Sequence, residues 1–140
     1  MARTDYLDSY TTSLYKRLYQ NPPVGYTVDQ IINTDIEAKQ TIAGDFIKQS
    51  TQIVSRENSS VGGATSRTFF LHNISIFVDK DSVQKKRDIT KTAKELIQLF
   101  ENKYFDGLYC QEAAPESVGD EPNTNLYRYD VLITGYFEDN

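Results

Sequence analysis

Reactive side chains are scarce in this chain, and their spacing argues against a catalytic or metal centre. The sequence contains one histidine, His72, and one cysteine, Cys110. A zinc site needs several imidazole or thiolate ligands, and neither residue has a second copy to join it. Serine and aspartate are plentiful enough for a Ser-His-Asp triad, but His72 lies in the middle of a predicted strand instead of at an exposed strand end. We therefore predict no catalytic residue, no metal ligand and no cofactor.

Two further motifs have structural interpretations. Cys110 stands between Tyr109 and Gln111; without a basic neighbour it is predicted to be a buried, inert thiol. With one cysteine no internal disulfide can form. The segment 61–66, VGGATS, lacks the lysine and the glycine spacing of a phosphate-binding loop, and it joins two strands, so we predict a flexible hairpin tip.

Length and charge narrow the function classes. The chain has 140 residues, a net charge of −5 and a pI near 4.8. This length predicts a single domain over 1–140 with a modest core. An acidic domain is poorly suited to gripping nucleic acid, since that binding rests on clustered lysine and arginine. No segment has the apolar run of a membrane span, and the first ten residues lack a signal-peptide pattern, which favours a protein made and used in a reducing cytoplasm.

The chain is rich in tyrosine, with ten tyrosines, seven phenylalanines and no tryptophan. Tyrosine buries its ring while its hydroxyl stays hydrated, so it suits subunit interfaces as well as the border of a core. For any single tyrosine the core border is the favoured interpretation.

The first half of the chain predicts one helix followed by strands. Apolar residues recur at three- and four-residue steps in a helix that stops at the proline pair after position 21: Leu7, Tyr10, Leu14 and Leu18. Residues 24–37 are predicted to be a long loop with one helical turn at 28–33. Residues 43–56 are predicted to form a strand, 57–66 a loop, and 67–78 a strong strand. Because both faces of this last strand are partly apolar, it is either central in the sheet or covered on one face by another subunit.

The second half predicts a helix and a closing pair of strands. A capping box at 81–84 starts a helix that runs to about Lys103 and ends at Gly107. Its apolar stripe includes Ile89, Ala93, Leu96, Ile97, Phe100 and Tyr104. Its basic residues lie largely off that stripe and are either simply solvated or complementary to a neighbouring subunit: Lys85, Lys86, Arg87, Lys91 and Lys94. A short strand over 108–112, a polar loop over 114–125 and a final alternating strand follow.

In the final strand, alternate residues separate into two sets. One face carries Tyr127, Tyr129, Val131, Ile133 and Phe137. The opposite face carries Arg128, Asp130 and Thr134, with Leu132 and Tyr136 as less typical members. The element order predicts an α+β fold, with a mostly antiparallel sheet, one helix packed across it and a second helix at the N-terminus.

This layout resembles the small phage tail-terminator and head–tail joining proteins of long-tailed phages. Four pieces carry the resemblance: the helix with Leu7, Leu14 and Leu18; the strand 51–56, TQIVSR; the helix 89–100; and the segment 115–121, PESVGDE, leading into 126–131, LYRYDV. They span nearly the whole chain, although 20–40 matches nothing in the pattern and the strand 67–78 is more apolar than that pattern leads one to expect.

The resemblance implies a non-enzymatic virion protein of the tail or neck, assembled in the host cytoplasm. Copies would form a homo-hexameric ring on the finished tail, stop polymerisation of the tube and offer a docking surface to the head connector or stopper protein. The implied partners are further copies, the major tail-tube protein and that connector, with DNA passing through an acidic lumen without specific binding and no role for a membrane.

Site residues follow by segment. We predict ring contacts at Arg56, Arg67, Arg128, Asp130, Tyr127 and Tyr129. The loops 57–66 and 114–125 are predicted to reach the tube protein or the connector, through Gly62, Gly63, Glu116, Asp120 and Glu121. Two other interpretations stay open: another neck component, such as a head-completion or connector-stopper protein, and a small ferredoxin-like ligand-binding domain or enzyme, which would need a pocket with converging polar groups.

Overall fold

The chain folds as an α+β protein built around one six-stranded sheet. The computed structural model describes residues 3–33, 44–58 and 66–139. Within these ranges the elements are α1 (Arg3–Gln20), β1 (Ile31–Asn33), β2 (Phe46–Asn58), β3 (Ser66–Asp79), α2 (Val83–Phe100), β4 (Lys103–Phe105), β5 (Leu108–Asp120) and β6 (Leu126–Asp139). The strand order is β1-β2-β3-β6-β5-β4, and all pairs are antiparallel except β1 with β2. The predicted fold class is confirmed, and β3 is central as its two apolar faces predict.

Both helices pack on the same face of the sheet. We call this the covered face, and the opposite one the open face. The core combines the predicted helix stripes with alternate strand residues, and its fully buried side chains include Leu14, Leu18, Ile47, Phe70, Ile74, Ile76, Ile89, Leu96, Phe100, Leu108, Ile133 and Phe137. Leu7 lies within α1, but its side chain falls outside the described part of the chain. The Ser82 hydroxyl caps α2 by accepting a hydrogen bond from the backbone N–H of Lys85 at 3.2 Å.

The end of α2 differs from the prediction. The helix stops at Phe100, and Lys103–Phe105 is the edge strand β4, so Tyr104 is 73% exposed instead of continuing the helical stripe. Asp106 and Gly107 join β4 to β5 with φ angles of 50° and 81°. Positive φ angles at both central residues are the requirement of a type I′ hairpin turn, for which Asp-Gly is a favoured pair. Gly107 therefore serves a hairpin and not the end of a helix.

The predicted loop over 114–125 is mostly strand. β5 continues to Asp120, paired with β6 from Leu108↔Phe137 to Asp120↔Tyr127, and the real turn is confined to 121–125. Pro115 disfavours a strand on sequence grounds, because proline cannot donate to a ladder. Here β4 pairs only with Leu108–Cys110, so Pro115 lies on an edge beyond β4, where proline is tolerated.

The stretch before β2 also contains an unpredicted strand. The helical turn expected over 28–33 is a 3₁₀ turn at Val28–Gln30, and Ile31–Asn33 pairs in parallel with Ile47–Gln49. This pairing forms with a distant segment, which local patterning does not reveal. α1 ends at Gln20, next to the proline pair, as predicted.

Candidate functional site

The single histidine is a core residue with both ring nitrogens satisfied. His72 is fully buried on the covered face, with Nδ1 2.7 Å from the Thr51 hydroxyl and Nε2 3.0 Å from Gln49 Oε1. Because the amide of Gln49 donates through Nε2 to Tyr15 O and Asn33 Oδ1, its Oε1 accepts, so His72 carries its proton on Nε2 and accepts from Thr51 at Nδ1. Burial lowers the pKa of His72 to about 3. This network links α1 and β1 to the central strands β2 and β3, and it keeps the imidazole neutral.

The single cysteine is likewise inside the core. Cys110 is fully buried, and burial raises the pKa of its thiol to about 12, with a smaller opposing effect from Arg17. A thiol held in this form is a poor nucleophile. Among the described residues, no group of three or more His, Cys, Asp or Glu side chains is placed to hold a metal ion. In the same ranges, neither helix has the length and apolarity that crossing a membrane requires.

The open face carries a line of aromatic side chains that crosses four strands. Strand register places Phe69 beside Tyr136, Tyr136 beside Tyr109, and Tyr109 beside Tyr104. The ring centroids are 5.8, 5.5 and 6.4 Å apart, respectively, and the Tyr109–Tyr136 pair is stacked. We call these four residues the aromatic ladder. Within the described part of the chain neither helix covers it. Tyr104 is exposed and the other three rings are partly buried, so their outward surfaces can meet a partner.

An arginine lies across the ladder. The guanidinium carbon of Arg67 is 4.3 Å from the centroid of the Tyr136 ring, while Arg67 Nη2 donates to Glu138 Oε1 at 2.7 Å. That hydrogen bond raises the pKa of Arg67, and both partners remain substantially exposed. Beside the ladder a groove of about 310 Å³ is bordered by Phe69, Thr134 and Glu57. The ladder thus already accepts a cation on one ring.

A second charged cluster lies at the far end of the open face. Arg128 donates to both carboxylate oxygens of Asp130, at 2.8 and 2.9 Å, and to Glu121 Oε1 at 3.0 Å. These hydrogen bonds, the one to Asp130 first, raise the pKa of Arg128, so it stays charged. Asp130 is 4% exposed despite lying on the open face. The cluster fastens the turn at 121–125 to β6.

The predicted contact residues do not form one site. Arg67 and Arg128 share the open face but lie far apart. Arg67 is on β3, and Arg128 pairs with Phe77, ten residues further along β3, which corresponds to about 33 Å at strand spacing. Arg56 is exposed and lies on the covered-face side of β2. Tyr127 and Tyr129 are partly buried against the core, which agrees with the core-border interpretation of tyrosine.

Three of the remaining predicted residues belong to the hairpin of β5 and β6. Glu116 and Asp120 are exposed residues of β5, and Glu121 lies in the turn bound to Arg128. Gly62 and Gly63 lie outside the described residues. The ring-contact and docking roles of all these residues stay predictions.

The aromatic ladder was not predicted as a unit. One signal was available, because Tyr136 is an unusual member of the polar set in the final strand and Phe69 belongs to the second apolar face of its strand. The other two tyrosines were hidden: Tyr104 was placed on a helix, and Tyr109 was considered only as a neighbour of Cys110. Alignment of the four rings depends on the register of four strands, which hydrophobic alternation alone does not determine.

These features define an α+β protein with one sealed sheet face and one open, aromatic sheet face. No protein-family model matches the chain, and no curated protein matches it. Among solved structures, one described as "Virion of native gene transfer agent (GTA) particle" is similar over 80% of this chain and 81% of that one, with 13% identity and a TM-score of 0.49. A likeness of this size assigns neither family nor function.

Proposed function

We propose that this chain is a structural protein of a phage-like virion. In its particular role it forms a ring at the head-proximal end of the tail, ends polymerisation of the tube and provides the docking surface for the head connector. The observation that carries the proposal is the contrast between the two faces of the sheet. The core is complete with the helices on one side, yet the other side presents an ordered aromatic ladder, which suits contact with another protein.

The positions of the reactive groups support a role in assembly over one in catalysis. His72 and Cys110 are both buried, the first neutral and hydrogen-bonded, the second a protonated thiol. A general base or nucleophile has to reach a substrate, and these two groups face the core. The groove beside the aromatic ladder presents mostly apolar surface. The polar side chains that border it, Ser55, Glu57, Gln111 and Thr134, include one carboxylate and no imidazole, thiol or cation.

The proposed partners follow from surfaces and charge. Further copies of this chain would use the open face, whereas the hairpin end at 121–125 and the connection 57–66 would reach the tube protein and the connector. A net charge of −5 lets DNA pass through the ring without being held by its phosphates.

The first test is the assembly state of the purified protein. Light scattering coupled to size exclusion is expected to show that the fraction of protein in oligomers rises with protein concentration in the micromolar range. Negative-stain electron microscopy is expected to show that these oligomers are closed rings. A protein that stays monomeric across that range, alone and with tube protein, contradicts the proposal.

A genetic test separates the terminator role from that of another neck component. Loss of a terminator is expected to leave filled heads and unjoined tubes of irregular, extended length. Loss of a head-completion or stopper protein is expected to leave tubes of normal length. Tubes of normal length in a deletion strain would contradict the terminator role and indicate a head-completion or stopper protein.

A further inference from the structure

The outward side of α2 carries a regular basic stripe. Arg87, Lys91, Lys94 and Gln98 recur at steps of four, three and four residues, so they share one side of the helix, and all four are exposed. The buried stripe of the same helix faces the sheet. We call the three basic members of this set, Arg87, Lys91 and Lys94, the basic stripe.

Within the chain the basic stripe has little charge compensation. Lys91 lies 3.5 Å from Asp88, an exposed pair that contributes little. In the described ranges no ion pair engages Arg87 or Lys94. An acidic partner surface would supply the counter-charges that the described part of the chain does not provide to these residues.

The surroundings of the aromatic ladder have the opposite charge. Glu57 lies beside Arg67 in the strand register, and Glu112 lies beside Thr134, next to the ladder. Both carboxylates are exposed, whereas Glu138 already neutralises Arg67. One ladder ring already holds a cation, since Arg67 lies over Tyr136, and tyrosine faces attract cations in general. Acidic side chains and tyrosine faces together suit a row of lysine and arginine side chains.

We propose that the basic stripe of one copy docks on the aromatic ladder of the next copy. This inference rests on the proposed assembly function and specifies which surfaces meet. The stripe belongs to the helix layer and the ladder to the open face, so the two lie on opposite sides of one subunit. Their contact is therefore heterologous, which builds a ring if the rotation between copies closes and a filament if it does not. Each open face would be covered by the helix of its neighbour.

Paired charge reversals test this contact. One variant carries Lys91→Glu and Lys94→Glu, and the other carries Glu57→Lys and Glu112→Lys. Each variant alone places like charges at every contact, so we expect at least a tenfold loss of self-association affinity, measured by light scattering and analytical ultracentrifugation. An equimolar mixture restores opposite charges at every contact in an alternating order, and is expected to recover assembly.

A matched control separates a local contact from a change in net charge. Lys16→Glu with Lys80→Glu changes the net charge as much as the stripe variant, at two positions that belong neither to the stripe nor to the aromatic ladder. This control is expected to assemble as the unchanged protein does, and all variants are expected to keep its melting temperature. Raised salt should weaken assembly of the unchanged protein and of the mixture alike.

The possible results distinguish this inference from the proposed function. If rings form and neither reversal affects them, the docking inference is overturned while the ring remains. If the mixture rescues open filaments instead of rings, the contact stands and the terminator role fails. If the stripe variant assembles normally but loses retention on a duplex DNA column, the stripe is a polyanion site and the inference is wrong. A protein that is monomeric throughout overturns both.

Discussion

The covered and open faces of the sheet use the same strands for two different purposes. On β3, Phe70, His72 and Ile74 point to the helices and are buried, whereas the residues between them reach the open face. The covered face satisfies its polar groups inside the chain, as the His72 network illustrates. The open face instead has the aromatic ladder and the buried atom Asn73 Oδ1, which lacks a partner in the described part of the chain.

This difference separates folding from assembly. Side chains on the covered face lose their packing if they are altered, so changes there should lower stability. Side chains of the aromatic ladder contact one another, Arg67 and Asn102 but neither helix, so changes there should affect the proposed association more than folding. Matched substitutions on the two faces test this distinction.

A pair of phenylalanine truncations gives the strongest test. Phe100→Ala removes a fully buried ring that packs near His72 and Phe105, and we expect it to lower the free energy of unfolding by about 4 kcal/mol. Phe69→Ala removes a ladder ring, and we expect a loss of about 1 kcal/mol, since that ring is only partly buried. Urea unfolding monitored by circular dichroism measures both. Equal losses would show that the two faces do not differ as proposed.

Gly135 tests how closely β5 and β6 approach on the covered side. A Cβ atom there would overlap the Tyr109 carbonyl oxygen and lie 2.9 Å from the Phe70 ring. Gly135→Ala should therefore cost about 3 kcal/mol, because backbone as well as a core ring must move. Gly119→Ala is the control: its Cβ would meet no atom within 4 Å, and its φ of +103° should cost about 1 kcal/mol through backbone strain alone. A tolerated Gly135→Ala would contradict the close approach.

Local patterning predicted what depends on neighbouring residues along the chain. The proline stop of α1, the apolar stripe of α2 and the alternation of β3 and β6 follow from periods of 3.6 and 2 residues, and the structure reproduces them. The elements that were missed depend on distant partners. β1 exists through pairing with β2, and β5 extends past Pro115 because β6 lies beside it.

The candidate site was less accessible to prediction for the same reason. Arg67 was predicted to be a ring contact and Tyr136 was identified as a less typical member of its strand face, but their proximity comes from the pairing of β3 with β6. The aromatic ladder needs three strand pairings in the correct register, and a slip by one residue would send a ring to the opposite face. Charge patterning alone also gave no sign that Arg128 is bound within the chain, by Asp130 and Glu121.

Two carboxylate neutralisations compare the ion pairs at the ends of the open face. Asp130→Asn weakens a two-pronged hydrogen bond to Arg128 at a site where the carboxylate is buried, and should cost about 2 kcal/mol. Glu138→Gln weakens the exposed pair with Arg67 and should cost less than about 1 kcal/mol. Thermal melts at low and high salt measure both. A charge reversal at Arg128 would then impair folding as well as assembly, so Arg128 alone is unsuited to mapping a ring contact.

The smallest effect comes from protonation of His72, and it tests whether the covered face is sealed. The pKa of this imidazole is lowered from 6.5 to about 3 in the folded chain, so below pH 6.5 the unfolded chain binds a proton that the folded chain does not. Stability is therefore complete above pH 6.5 and declines as the pH falls towards about 3. Between pH 6 and pH 5 the expected loss is about 1 kcal/mol. His72 is the only histidine. The variant His72→Gln keeps a donor and an acceptor without titrating, so its urea midpoint should depend less on pH in this interval. An unchanged slope in that variant would mean that other groups titrate there and that His72 is reached by water.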